Sequence, residues 1–151
     1  MIRVADLVSA MERLAPAVLA ESWDAVGLQI GALKSPVHSV LLTLDVTPEA
    51  LQLADQVQAD LIITHHPLIF SPLKGIRSDQ PEQQLIAELL VHKRACLAAH
   101  TNLDAAQGGV ADALAAALDL PDSDWQVMIP AEAEGFGIGC GHGRASSVTR
   151  P

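Results

Sequence analysis

The sequence predicts an α/β domain built on a largely parallel or mixed sheet flanked by helices. Three observations carry this expectation. Short, nearly continuous apolar runs at Val40-Leu41-Leu42-Thr43-Leu44, Leu61-Ile62-Ile63-Thr64 and Ala95-Cys96-Leu97-Ala98-Ala99 have the length and composition of buried strands. Segments between them carry helical spacing and helix-opening residues. The connections are short, so strand, helix and strand follow one another as βαβ units.

The first element is a helix, because Val4, Leu7, Val8, Met11 and Leu14 recur at one-face spacing and Pro16 stops them. Glu21 to Gly31 is too short between glycines for a helix and reads as a loop leading into a short strand. After the run at Val40, Thr47-Pro48-Glu49 opens a second helix. Thr suits the N-cap, Pro the first turn, and Glu the positive end of the dipole. That helix carries Leu51, Ala54 and Val57 and ends near Ala59-Asp60. Beyond His65-His66-Pro67 a polar loop runs to Gln80, and Pro81-Glu82 opens a third helix through Leu85, Ile86, Leu89 and Leu90. Lys93 and Arg94 are expected to complement its negative end. After Gly108-Gly109 a last helix is predicted from Val110 to Leu118. The stretch from Ala131 to Pro151 has no periodicity, and no element is predicted there.

Half of the 151 residues are apolar, enough for one domain with an ordinary core. The formal charge of −9 repels phosphate backbones and anionic membrane surfaces, which argues against general nucleic-acid binding. No apolar stretch approaches the roughly 18 residues of a membrane-spanning helix, and acids at Asp6 and Glu12 do not suit a signal peptide. Cys96 and Cys140 form neither a disulfide framework nor a zinc-finger spacing, so a cytoplasmic, reducing setting is expected. Cys96 reads as a core residue. His38 and His92 read as solvated.

In parallel sheets, ligands bind at the carboxyl ends of the strands. Here those ends carry Asp45, then His65-His66, then His100 with Asp104. Neighbouring residues of a strand point to opposite faces. His65 and His66 would therefore share one ion only if the chain turns sharply, and more naturally serve two ions with Asp104 bridging. Imidazole with carboxylate suits Zn, Fe, Mn, Co or Ni. The plainer alternative is a polar strand terminus whose rings bond to backbone, with His100 paired to Asp104.

Four runs are familiar together: LAESWDAVGLQIG (Leu19 to Gly31), LLTLDVTPEAL (Leu41 to Leu51), ADLIITHHPLIF (Ala59 to Phe70) and AAHTNLDAAQGGVADALA (Ala98 to Ala115). In this order and spacing they resemble the Nif-three-like family of GTP cyclohydrolase I type 2 homologues. The resemblance implies a dinuclear metal centre in an α/β fold, in members that assemble as toroidal hexamers built from dimers. By motif, His65 and His66 match metal ligands and Asp104 the bridging carboxylate. His100 and Asn102 match positions lining the site, with Asp45 and Asp24 as weaker candidates.

The implied function is that of a metal-dependent hydrolase acting on a nucleotide-like small molecule, with His100 as its catalytic proton shuttle. The alternatives are a non-catalytic metal-binding or scaffold module, or an inactive fragment. The family also has a histidine and a glutamate four residues apart near its C-terminus. Here the late histidine is His142, Ser146 stands four beyond it, and the resemblance fades near Ile138. The chain is therefore expected to be C-terminally truncated. Residues 1–130 would form the α/β metal-site domain, and 131–151 an irregular glycine-rich tail. His65, His66 and Asp104 alone would then face two ions that want more protein ligands.

Overall fold

The computed structural model describes residues 1–119, 125–130 and 137–142. A four-stranded sheet in the order β1-β4-β3-β2 forms its centre, from β1 (Gly27–Ile30), β2 (Val40–Thr43), β3 (Leu61–Thr64) and β4 (Ala95–Ala98). β2, β3 and β4 are parallel and β1 runs antiparallel to β4, so the sheet is mixed. Thr43 is level with Thr64, and Thr64 with Ala98. All three parallel strands therefore end at one rim.

The pleat sorts the core into two layers. Ile62 and Cys96 face one side, where α2 (Pro48–Gln56) and α3 (Pro81–Val91) cover them with Leu51, Ala54, Ile86 and Leu89. Leu61, Ala95 and Leu97 face the other, against Val4, Leu7, Val8 and Met11 of α1 (Val4–Leu14). A third, smaller cluster joins Ala15 and Leu19 to Ala105 and Ala106 at the end of α4 (Thr101–Ala105). α5 (Val110–Ala117) follows.

The helix opening at Thr47 holds in detail. Thr47 accepts a hydrogen bond from the Ala50 N–H with Pro48 in the first turn, as its N-cap role predicts. Other expectations need correction. β2 is not covered on both faces: it is an edge strand, and Val40, Leu42 and Leu44 are exposed on the face that carries Leu61 and Leu97, beyond the cover of α1. An apolar run reports hydrophobicity, and by itself does not separate an edge from a centre. Lys93 and Arg94 do not sit in the last turn of α3. Lys93 takes a left-handed conformation beyond it (φ 52°), and the buried Arg94 guanidinium donates to the Ala59 carbonyl at 2.7 Å and to Asp55 at 2.8 Å. It therefore ties the β4 entry to the far end of α2. α4 is too short to carry a periodicity and was not legible.

Past Ala131, where no element is predicted, β6 (Gly137–His142) pairs antiparallel with β5 (Trp125–Pro130). Strand pairing is a backbone interaction that glycine weakens without forbidding, and composition alone hides it. Residues 131–136 and 143–151, Ser146 among them, lie outside the described residues. No helix among the described residues is long and apolar enough to cross a membrane.

Two predictions follow from this packing. Gly31 has φ +108°, and a Cβ there would stand 2.7 Å from the Ala95 Cβ and 2.9 Å from its Cα. Gly31→Ala should cost about 3 kcal/mol in urea unfolding, since neither the backbone angle nor the neighbour can relax cheaply. Asp60 accepts from the His38 and Ser39 N–H groups at 2.7 and 3.3 Å, and these bonds hold its carboxyl below the ordinary value of 3.8 despite partial burial. Because the folded pKa is depressed, this stabilisation is complete above the unfolded value and is lost as pH falls through the folded one. Asp60→Ala should therefore cost about 1 kcal/mol at neutral pH, and its unfolding midpoint should converge on wild type as pH drops below 3.8.

Candidate metal centre

The rim where the parallel strands end gathers the candidate residues. The His65 N–H donates to the Thr43 carbonyl at 3.1 Å and the His66 N–H to the Leu44 carbonyl at 2.9 Å, so pairing with the β2 segment continues just past β3. The buried Thr64 hydroxyl lies 3.0 Å from the Leu44 carbonyl and 3.1 Å from that of His66, and this contact folds the chain back on itself. Strict strand alternation lapses at this bend. The His65 and His66 rings stand 5.0 Å apart, and each lies within 5.5 Å of the His100 ring at the start of α4. One ligand atom from each of the three histidines falls within 4.8 Å of the others, an arrangement that could hold a metal ion.

The partners of Nδ1 decide which nitrogen is available. His65 Nδ1 lies 2.9 Å from the Ala99 carbonyl, His66 Nδ1 2.7 Å from Asp45 and His100 Nδ1 2.9 Å from Asp24. Each partner is an acceptor, so each Nδ1 carries the proton and donates. In a neutral ring bonded this way, the lone pair lies on Nε2. A metal-ligating imidazole usually has this tautomer and this kind of outer partner. Asp104 stands on the ligand side of His65, with Oδ1 3.6 Å from Nε2.

Asp24 organises the α4 side of the site. Its side chain has no solvent-accessible surface. Burial alone would raise its pKa, but hydrogen bonds from Thr101, His100 and the Ala25 N–H outweigh it and hold the carboxyl below its ordinary value. Thr101 contributes both its N–H, at 3.0 Å, and its hydroxyl.

Asp24 rather than Asp104 is the partner of His100, which corrects the simple pairing read within one motif. Asn102 is buried: its side chain accepts from the His100 N–H and donates to the Ala15 carbonyl. It therefore anchors α4 and the end of α1. His38 and His92 lie outside the cluster with largely exposed side chains, each beside an aspartate. Cys96 is buried in the sheet, and desolvation pushes its thiol up to about 12, which suits a core residue.

Gln29 was not legible as a site residue. The β1 register shifts between Leu28 and Ile30, leaving Gln29 as the extra residue of a bulge. Its amide accepts from the Ile69 N–H at 3.0 Å and donates to the Ile69 carbonyl at 2.8 Å, fixing the segment that follows His65-His66-Pro67. The glycines flanking the strand were its only sequence signal.

Residues 2–149 match the family Duf34/NIF3 (NGG1p interacting factor 3). The chain belongs to this family. It is 46% identical over 124 residues to a GTP cyclohydrolase 1 type 2 homolog of Bacillus subtilis, a match covering 82% of the chain and 33% of that relative. A Streptomyces coelicolor protein of the same description is 37% identical over 149 residues, covering 99% of the chain and 51% of the relative. The chain thus spans a third to a half of the length of these Duf34/NIF3 relatives. Among solved structures, a Bacillus cereus protein related to NIF3 superposes with a TM-score of 0.80 at 45% identity, over 85% of this chain and 35% of that one. Reduced HcgD from Methanocaldococcus jannaschii gives 0.75 at 27% identity, over 83% and 50%. The sequence resemblance and the mixed α/β architecture therefore agree.

Asp24→Ala should leave the Thr101 N–H and hydroxyl without their buried acceptor and free the His100 ring to rotate. We expect a loss of about 3 kcal/mol in denaturant unfolding. Histidine NMR should show loss of the protonated-Nδ1 signature at His100 while His66, held by Asp45, keeps its own.

Proposed function

We propose that this Duf34/NIF3 chain is a metal-binding protein that holds divalent ions through His65, His66, His100 and Asp104, and that the centre serves metal-dependent hydrolysis of a nucleotide-like substrate. The observation that carries the reading is the uniform orientation of the three rings. Each Nδ1 donates outward to a fixed acceptor and each Nε2 is left for a ligand bond. A merely polar strand terminus has no reason to satisfy the same nitrogen on three histidines from two strand ends.

His100, expected as a proton shuttle, fits better as a ligand, because its ring is fixed by Asp24 in the same way as the other two. The Asp104 carboxylate, with Oδ1 on the ligand side of His65, offers two oxygens and suits a bridge between two ions. Zn, Fe, Mn, Co and Ni all accept this donor set. Such ions lower the pKa of bound water to near neutrality and polarise a substrate oxygen. Within this reading the chain self-associates, and the exposed Val40, Leu42 and Leu44 on the β2 edge are the apolar surface that supports it.

The test is metal content per chain, by mass spectrometry of protein purified without chelator. One or two ions per chain are expected, reduced at least tenfold in affinity in His65→Ala and Asp104→Ala. Absence of metal in soluble wild-type protein, even after incubation with each of the five cations, would refute the metal reading. Metal-loaded protein that turns over no purine nucleotide would remove the hydrolase and leave a metal-binding module. Light scattering of the same sample should give a mass several times that of one chain.

A further inference from the structure

We propose that Trp23 and Phe70 form a stacking subsite for a flat, uncharged nitrogen heterocycle the size of a nucleobase or a pteridine, whose edge is presented to the histidine cluster. This rests on the reading of that cluster as the reacting centre and names the substrate class it takes.

The chain has only two Trp, two Phe and no Tyr. Trp23 and Phe70 are the two of these whose side chains are described, and neither is in the core: they are 57% and 50% exposed. An aromatic ring brings a large apolar surface that folding ordinarily covers. Here the two open rings touch each other, and Trp23 lies against His100 of the histidine cluster. Their centroids are 6.0 Å apart, and Trp23 lies 6.3 Å from the His100 ring, edge-on at 73°.

Both rings are held by their neighbours in the chain. Trp23 precedes Asp24, whose buried carboxylate is bound to His100 and Thr101. Phe70 follows Ile69, whose N–H and carbonyl are both bound by the Gln29 amide. Their mutual contact ties two loops together, and about half of each ring stays open, with Trp23 beside the His100 imidazole.

The geometry also limits how a ligand binds. At 6.0 Å and 54° the two rings are too close and too tilted to take a third ring between them, which would need two gaps of about 3.5 Å. The ligand ring therefore stacks on the open face of Trp23, with Phe70 as a side wall, one ring away from His100. An aromatic face holds a flat π-system without needing a charge, so this subsite selects the ring of a ligand and leaves any charged group to the metal centre.

The test compares binding of guanosine, pterin and ribose 5-phosphate to wild type, Trp23→Leu and Phe70→Leu, each in metal-loaded and chelator-treated form, by calorimetry. Guanosine or pterin should bind wild type, with affinity falling roughly tenfold or more in Trp23→Leu and less in Phe70→Leu. Metal content should be unchanged in both variants. Ribose 5-phosphate should not distinguish wild type from Trp23→Leu. If neither ring compound binds in either metal state, or if Trp23→Leu binds them as wild type does, the subsite is refuted while the metal centre stands. Loss of the metal centre alone would show instead as an absence of bound metal, with stacking on Trp23 still measurable.

Discussion

The parallel register of β2, β3 and β4 is the constraint on which the site depends. With Thr43, Thr64 and Ala98 level, the next residues of three separate segments leave the sheet at one rim, and Asp45, His65, His66 and His100 must meet. A shift of one residue in any pair would turn the buried faces outward. The hydrophobic layers that hold the register thus also align the imidazoles. Core and site are specified by the same strands, Leu61 to Thr64 and Ala95 to Ala98.

Within that frame the acidic residues divide into two roles. Asp45 and Asp24 lie behind the rings, each accepting from an Nδ1, and Asp104 lies in front, beside the His65 Nε2. Position relative to the ring, more than residue type, separates a carboxylate that orients an imidazole from one that can share its ligand. Asp24 meets the stricter demand, since a wholly buried carboxylate must be compensated by donors. Thr101, His100 and Ala25 provide them.

Much of this was legible in the sequence. Apolar runs and helix-opening residues place all three parallel strands and helices α1, α2, α3 and α5, and the HHP and HTNLD segments mark the cluster. What was not legible depends on contacts remote in the chain. Nothing near Arg94 shows that its guanidinium turns to Ala59 and Asp55, so it reads as a cation for the nearest helix end. Only the flanking Gly27 and Gly31 hint at the bulge at Gln29, because a bulge is defined by the partner strand. Asp24 could be ranked only as a weaker candidate, since its partners His100 and Thr101 are 76 and 77 residues away. The edge position of β2 was hidden for the same reason.

The Asp24 contact bears on how the molecule acquires its geometry. Residues 40–104 contain all three parallel strands, the three clustered histidines, Asp45 and Asp104, and could collapse through comparatively local βαβ pairings. The orientation of His100 must then wait for the segment before β1 to close a loop of more than seventy residues, among the more distant contacts in the fold and entropically among the slower to form. Donor residues and donor geometry are therefore separable in folding. A piece lacking residues 21–31 would keep every candidate ligand and lose the buried acceptor that aims one of them.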